Sequence, residues 1–360
     1  MGVFKQGPSL INAGQPVRNP YSLTNKASVI FIDQPVNVGF SHSKARVANS
    51  GQGSKYVVSF LKLWFEKFPK YRNLDFHIAA ESYGGTYASA LTKEIIADGT
   101  FKLKSVIIGS AVIDAKAYFP QYYKMPCGLT EVSPSLVSNT TCQKMAAAAP
   151  ECLKQLDACY DNKNDKTCFD ASSTCWGTLG SVPKLSGRNW YDIRQTCGQP
   201  GVECELKDLD TERYVNQPSV LRTLGVESTG LKYASCDEKV FGEFWRSADA
   251  MKPHHRNLAD ALKANIPVFI YGGDADMLCP VRANLQTAEE LVWGGSDEFK
   301  QARFQGYTSR TTGKKVGLTK SAKGLKFTRI HDAGHEVGWY QMDTLEQMYD
   351  EWFQYVKTRI

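Results

Sequence analysis

Ser82 has the neighbours that turn a hydroxyl into a nucleophile. It lies in Ala80-Glu81-Ser82-Tyr83-Gly84-Gly85, after the strand-like run Asp75-Phe76-His77-Ile78-Ala79 and before Thr86 to Ile96, where Tyr87, Leu91 and Ile95 fall on one helical face. A serine between a strand and a helix, flanked by small residues, matches a nucleophile elbow. There the backbone packs closely around a strained turn, and the N–H of the following residue, here Tyr83, helps bind an oxyanion. Ala80 replaces the first glycine of that pattern with the next smallest side chain. A serine hydroxyl is a weak nucleophile until a histidine takes its proton and a carboxylate orients the imidazole. The partners follow in the chain order serine, acid, histidine. Ile266 to Tyr271 is an apolar strand that runs into Gly272-Gly273-Asp274-Ala275-Asp276. Phe327-Thr328-Arg329-Ile330 is another, followed by His331-Asp332-Ala333-Gly334-His335. Spacing alone separates neither Asp274 from Asp276 nor His331 from His335, because turn-capping aspartates and surface histidines have the same local sequence.

These groups need a sheet to hold them. Ser28–Ile32, Phe76–Ala79, Lys104–Ile108, Val268–Tyr271 and Phe327–Ile330 read as strands. Tyr56–Phe68 reads as a helix with Val57, Phe60, Leu61, Trp64, Phe65 and Phe68 on its apolar face, stopped by Pro69. Alternation of strand and helix predicts an α/β fold with a mostly parallel sheet. The alternation is interrupted by a polar stretch that holds eight of the ten cysteines, from Cys127 to Cys204. Expected domains are a core over 1–116, an inserted cap over 117–240, and the rest of the core over 241–360.

A chain of 360 residues with 42% hydrophobic content buries a substantial core. The net charge of +6 is spread along the sequence, and basic pairs such as Lys314-Lys315 read as solvated loop, so nucleic acid is not an expected partner. No apolar run reaches membrane-spanning length, the start lacks a signal-peptide pattern, and Met1-Gly2 lacks the Ser or Thr that myristoylation requires. No Cys/His spacing suggests zinc, so no metal is expected. The cysteine number points to oxidising surroundings, and Asn139-Thr140-Thr141 is a glycosylation sequon.

The sequence resembles the serine carboxypeptidase family, most closely its vacuolar carboxypeptidase Y branch, from end to end. The matching segments are Asn19-Pro20-Tyr21-Ser22, Ala27 to Ser41 with Asp33-Gln34-Pro35-Val36-Asn37-Val38-Gly39, Phe76 to Tyr83, Tyr191-Asp192-Ile193-Arg194, Met251-Lys252-Pro253, Tyr271 to Cys279, and Ala333-Gly334-His335. The resemblance implies an α/β-hydrolase fold with a disulfide-rich cap. It implies a peptidase that releases C-terminal residues through an acyl-enzyme without a cofactor. By resemblance the nucleophile is Ser82, the acid Asp276 and the base His335, with Tyr83 as oxyanion donor. Glu81 would hold the substrate's terminal carboxylate through a shared proton, which favours mildly acidic pH. Phe4, Tyr191 and Glu336 would line the leaving-residue pocket. The implied disulfides are Cys127–Cys142, Cys152–Cys175, Cys159–Cys168 and Cys197–Cys204. Cys279 corresponds to the family's free thiol, and Cys236 is expected as a second thiol. Peptide and protein C-termini are the implied partners, the chain is expected to be a monomer, and its implied compartment is the vacuole, the lysosome or the secretory route.

Three departures from the family pattern alter these expectations. The family's Gly-Gly-Pro-Gly-Cys segment, whose cysteine pairs with the counterpart of Cys236, is not in this sequence. On the family pattern a second oxyanion donor, carboxylate-binding groups and early strands go with it, which predicts an incomplete oxyanion hole and an open sheet edge. A truncated chain and a genuinely short protein both fit this. A catalytically impaired protein that only binds is therefore one alternative, and an esterase or acyltransferase on the same site is another. Lys5 stands where the family has a glutamate and is expected to lower the pKa of Glu81. Glu336 and Gly338 replace methionine and proline, which puts negative charge near the leaving residue and predicts a preference for basic C-terminal residues.

Overall fold

A computed structural model describes residues 5–181, 186–197 and 207–359. In chain order the elements are β1 (Ser9–Asn12), β2 (Gln15–Arg18), α1 (Ser50–Lys67), β3 (Phe76–Glu81), α2 (Gly84–Asp98), β4 (Leu103–Gly109), α3 (Ala115–Lys124), α4 (Asn139–Asn162), α5 (Asp165–Cys175), α6 (Lys207–Val215), α7 (Pro218–Leu224), α8 (Glu238–Arg246), α9 (His255–Lys263), β5 (Val268–Gly273), α10 (Val281–Glu290), α11 (Ser296–Gln301), β6 (Gln305–Thr308), β7 (Lys315–Ala322), β8 (Leu325–Ile330), α12 (Val337–Tyr340) and α13 (Met342–Thr358). The main sheet has the order β3-β4-β5-β8-β7-β6. Its first four strands are parallel and β7 and β6 antiparallel. This is the α/β-hydrolase arrangement, with helices on both faces of the sheet.

The central strands are apolar on both sides because both sides are covered. Val106 and Ile108 of β4 and Val268 and Ile270 of β5 pack with Ile95 of α2 and Leu258 and Leu262 of α9. The intervening Ile107, Phe269 and Tyr271 pack instead with Met348, Tyr349 and Trp352 of α13. The period-2 alternation thus sends successive residues into two separate cores. Parallel pairing aligns the strand ends: Glu81 lies opposite Gly109, Gly109 opposite Tyr271, and Gly273 opposite Ile330. Everything that follows β3, β5 and β8 therefore emerges at one end of the sheet.

Two local expectations are corrected. Ser28–Ile32 forms no strand, and Ile30, Phe31 and Ile32 are 36–38% exposed. Its β-branched composition suits a ladder, but it pairs with no strand, and β3 is the edge of the sheet. Residues near the start instead form the separate β1–β2 hairpin. The expected helix over Tyr56–Phe68 begins earlier, at Ser50, with Asn49 capping it through Gln52 N–H. Its buried stripe is Ser50, Ser54, Val57, Val58 and Leu61, which leaves Phe60 and Phe68 exposed. Phe60 falls to one side of that stripe. Phe68 is the C-cap, with φ −122° and ψ 65°, so it has left the helical path.

Between β4 and β5 the chain carries α3 to α9. There Cys127 pairs with Cys142, Cys152 with Cys175 and Cys159 with Cys168. The last two tie α4 to α5, and Cys152, Cys159, Leu156 and Met145 join Tyr118 and Phe119 of α3 in a core of their own. Asn139 is exposed at the first residue of α4. No described helix is long and apolar enough to cross a membrane.

Candidate active site

Ser82 follows β3 directly and has φ +60°, a left-handed conformation that costs a non-glycine residue about 1–3 kcal/mol and persists only where its surroundings impose it. Those surroundings are on both sides of the turn. Ser82 N–H donates to Gly109 O at 3.0 Å, and Ser82 O accepts from Gly85 N–H at 3.0 Å and from Val112 N–H at 3.1 Å. A Cβ on Gly85 would lie 2.6 Å from Ala111 Cβ, so only glycine lets the start of α2 meet the segment after β4. Ala80 and Gly84 face each other across the turn, since a Cβ on Gly84 would lie 3.2 Å from that of Ala80. Ala80 is thus about as large as the elbow allows.

The expected acid and base come from the ends of β5 and β8. Gly273 permits their approach: a Cβ there would lie 2.2 Å from Gly334 O and 2.3 Å from Ala333 O. Asp276 is fully buried. Its Oδ2 lies 2.8 Å from His335 Nδ1, and its Oδ1 accepts from Cys279 N–H at 2.9 Å. His335 is 3% exposed. Its backbone N–H donates to Tyr191 O at 2.7 Å, and the two rings meet edge to face at 5.2 Å. Tyr191 is held in turn by its own motif, in which Asp192 takes both Nε and Nη2 of Arg194 at 2.8 Å. Burial works against the imidazolium of His335, but Asp276 and the adjacent Cys279 carry its pKa well above the ordinary histidine range. Burial raises the Cys279 thiol. Asp276, Cys279 and His335 form a buried donor cluster, but in this cluster His335 Nδ1 and both Asp276 oxygens are already engaged with one another or with backbone.

Asp274 makes a separate pair. Its Oδ2 lies 3.0 Å from His331 Nδ1 and its Oδ1 accepts from Asp332 N–H at 3.0 Å, while Arg329 stands 3.5 Å away. This pair holds the two loops together at the surface, with the His331 side chain 31% exposed.

Glu81 is half-buried next to Ser82. Its Oε2 accepts from Gln6 Nε2 at 2.7 Å, and its Oε1 has no hydrogen-bond partner. Burial raises its pKa above the ordinary 4.5. Nearby Asp276 adds to that rise, while His335 and Lys5 oppose it without cancelling it. The expected depression by Lys5 is therefore present but outweighed by burial. Lys5 forms an ion pair with Glu336 and lies 4.7 Å from the centre of the Trp339 ring. Glu336 Oε2 remains buried without a partner. Phe4 and Cys204 lie outside the described residues, and with them the expected Cys197–Cys204 bridge. A cleft of about 1030 Å³ opens at Ser82 and Tyr83, walled by Tyr118, Trp176, Tyr191 and Phe244. Cys236 is exposed at its rim and Cys279 is buried.

Comparison with known proteins agrees with this geometry. The profile of the family described as serine carboxypeptidase matches residues 2–355. This chain belongs to the serine carboxypeptidase family. Carboxypeptidase Y homolog A of Ajellomyces dermatitidis is 37% identical over 360 residues, covering 98% of this chain and 65% of its own length. Carboxypeptidase Y of Komagataella phaffii is 36% identical over 353 residues, covering 97% and 66%. A vacuolar serine-type carboxypeptidase of Saccharomyces cerevisiae is 36% identical over 356 residues, covering 97% and 70%. The chain thus spans just under two thirds of the length of the first curated relatives it matches. A solved prohormone-processing carboxypeptidase from Saccharomyces cerevisiae superposes with a TM-score of 0.82 at 20% identity, over 97% of this chain and 80% of that one, which shows the shared fold.

Two residues at this candidate site escaped the sequence reading. Gln6 gives no local signal, and only the fold brings it to Glu81. Asp249, two residues before Met251-Lys252-Pro253, is buried and accepts a hydrogen bond from Tyr83 Oη at 3.0 Å.

Proposed function

We propose that the chain is a serine carboxypeptidase that releases C-terminal amino acids from peptides and proteins. The observation that carries this reading is the buried Asp276–His335 pair at the sheet end where the Ser82 elbow emerges, with the buried carboxyl of Glu81 adjoining the nucleophile. In the proposed reaction His335 takes the Ser82 proton through Nε2 as Oγ attacks the last peptide carbonyl. Asp276, bonded to Nδ1, fixes the ring and stabilises its cation. Tyr83 N–H donates to the oxyanion. The proton passes from His335 to the departing amine, and water then hydrolyses the acyl-serine with His335 again as base. Glu81, kept protonated to higher pH by burial, donates a hydrogen bond to the terminal carboxylate, which an ionised Glu81 would repel. The cleft takes the acyl side of the substrate, while Tyr191 and Glu336 border the leaving residue.

The reading extends to the remaining expectations. Residues 117–240 form a cap on a core made of 1–116 and 241–360, Asn139 is a glycosylation site, and the working form is a monomer in the vacuole, the lysosome or the secretory route. Support comes from three disulfides and from a relative named as vacuolar. The test is labelling with a fluorophosphonate, followed by assay of C-terminal release from peptides with free and amidated ends. Label at Ser82 and release from free ends only is the expected result. A wild-type chain that never labels overturns the reading and favours a protein that only binds. Label with ester cleavage but no peptide release favours the esterase or acyltransferase.

A further inference from the structure

Asp249 sits where three elements meet. It begins a short 3₁₀ turn, Asp249–Met251, after α8 and is 1% exposed. Its Oδ2 accepts from Tyr83 Oη at 3.0 Å and from Ser50 N–H at 3.1 Å, and its Oδ1 accepts from Ser50 Oγ at 3.1 Å. His254 Nε2 lies 3.6 Å from Oδ1 and 2.8 Å from the Asp249 carbonyl oxygen. The His254 carbonyl oxygen in turn accepts from Ser89 Oγ of α2. A buried carboxylate with this many donors is fixed in place, and the first turn of the 18-residue α1 favours its charge.

The function described above makes no use of this network, yet one of its members is the residue after the nucleophile. Tyr83 is the first residue past the strained Ser82, and its backbone N–H is the oxyanion donor. Hydrogen bonds to Gly109 and Val112 hold the elbow on the sheet side. On the other side the Tyr83 carbonyl accepts from Thr86 N–H at 3.0 Å, while its ring packs against Tyr87 at 5.2 Å and Phe244 at 6.1 Å and its hydroxyl donates to Asp249. Of the restraints on the Tyr83 side chain, the hydroxyl bond is the directional one.

We infer that Asp249 is a positioning residue of the active site, setting the oxyanion donor through the Tyr83 hydroxyl. The segment that ends in Met251-Lys252-Pro253 thereby acts as a brace between α1 and the elbow. This inference rests on the serine-hydrolase reading of Ser82. Its consequence is that Tyr83→Phe, which keeps the backbone N–H, the ring and every contact of Asp249 with α1, damages catalysis rather than folding. A displacement of the order of 1 Å at a donor costs about 10²-fold.

The test compares wild type, Y83F, D249N and the double variant in steady-state peptide hydrolysis and in the rate of Ser82 phosphonylation by an uncharged fluorophosphonate. The expected result is that Y83F and D249N each lower kcat by about 10- to 100-fold, with KM within about twofold and a parallel slowing of phosphonylation. The double variant should be no slower than D249N, because both substitutions break one link. Y83F with wild-type kcat, or losses that multiply in the double variant, would overturn the inference. If D249N does not fold, Y83F with an unchanged melting temperature decides the matter alone. A wild-type chain that never labels overturns the serine-hydrolase reading and this inference together. A wild type and Y83F that label equally fast overturn this inference only.

Discussion

Two Asp–His pairs stand at the same end of the sheet, built from the same two loops. Asp276 meets His335 at 2.8 Å and Asp274 meets His331 at 3.0 Å. Distance does not distinguish them, but environment does. The inner pair is almost wholly buried, its acid receives a backbone N–H from Cys279, and its histidine is held by Tyr191 beside the cleft. The outer pair is partly exposed and shares its acid with Arg329 and the Asp332 amide. An imidazole–carboxylate contact suits the proposed catalysis where water is excluded. Elsewhere it fastens loops.

The largest effects should separate the pairs. Replacing His335 by Ala removes the base and is expected to lower kcat by roughly 10⁴- to 10⁶-fold, with D276N costing on the order of 10⁴. H331A should change kcat less than about twofold and cost at most about 1 kcal/mol of stability, as expected for a partly exposed pair. Kinetics on one peptide, with a urea melt of each variant, provide the measurement. An H331A enzyme as dead as H335A would dissolve the distinction between inner and outer pair.

The distinction also marks how far the sequence could be read. The elbow was legible because strand period, small residues and helix period change over within ten residues around Ser82. The choice between Asp274 and Asp276 was not, since both follow the same strand and only the close approach permitted by Gly273 decides which one is enclosed. Ser28–Ile32 misled for a related reason: composition reports suitability for a sheet, whereas a strand needs a neighbour, and pairing is not a local property. The Lys5–Glu336 contact joins residues 331 positions apart, a pairing that no local pattern reports.

Glu81 adjoins the inner pair and has no counterpart in the outer one, so its titration is the next way to sharpen the contrast. Burial raises its pKa above 4.5. The protonated donor therefore persists at mildly acidic pH, and kcat/KM for peptides with free C-termini relative to amidated ones, a ratio in which the ionisation of His335 cancels, should fall by about tenfold per pH unit once the raised value is passed. E81Q, neutral at all pH, should flatten that limb, while amidated or ester substrates should show no such difference. Stability follows the same sign. With the folded pKa above the unfolded one, the native state binds the extra proton, so the contribution is full below about pH 4.5 and is lost as pH rises through the raised value. The melting temperature of wild type minus that of E81Q should decline across that window. An E81Q enzyme that keeps the wild-type alkaline limb would assign the titration to another group.

The smallest effect concerns the rim of the same site. On the proposed function, Glu336 gives the leaving-residue pocket a negative charge, but Lys5 pairs with it, and Glu336 retains one buried oxygen with no partner. The wild-type pocket thus carries an internal ion pair, and a substrate lysine must compete with Lys5 for the same carboxylate. K5M keeps the chain length over Trp339 and removes the competitor. Release of C-terminal Lys relative to Leu from matched peptides should then rise by about three- to tenfold, the scale of one partly screened charge pair. The change should reside in KM, because the leaving side chain is bound alike in ground and transition states. A Lys-to-Leu ratio that stays flat in K5M would mean that unpaired Glu336 takes up a proton rather than a substrate cation. The pocket would then be apolar in effect despite its glutamate.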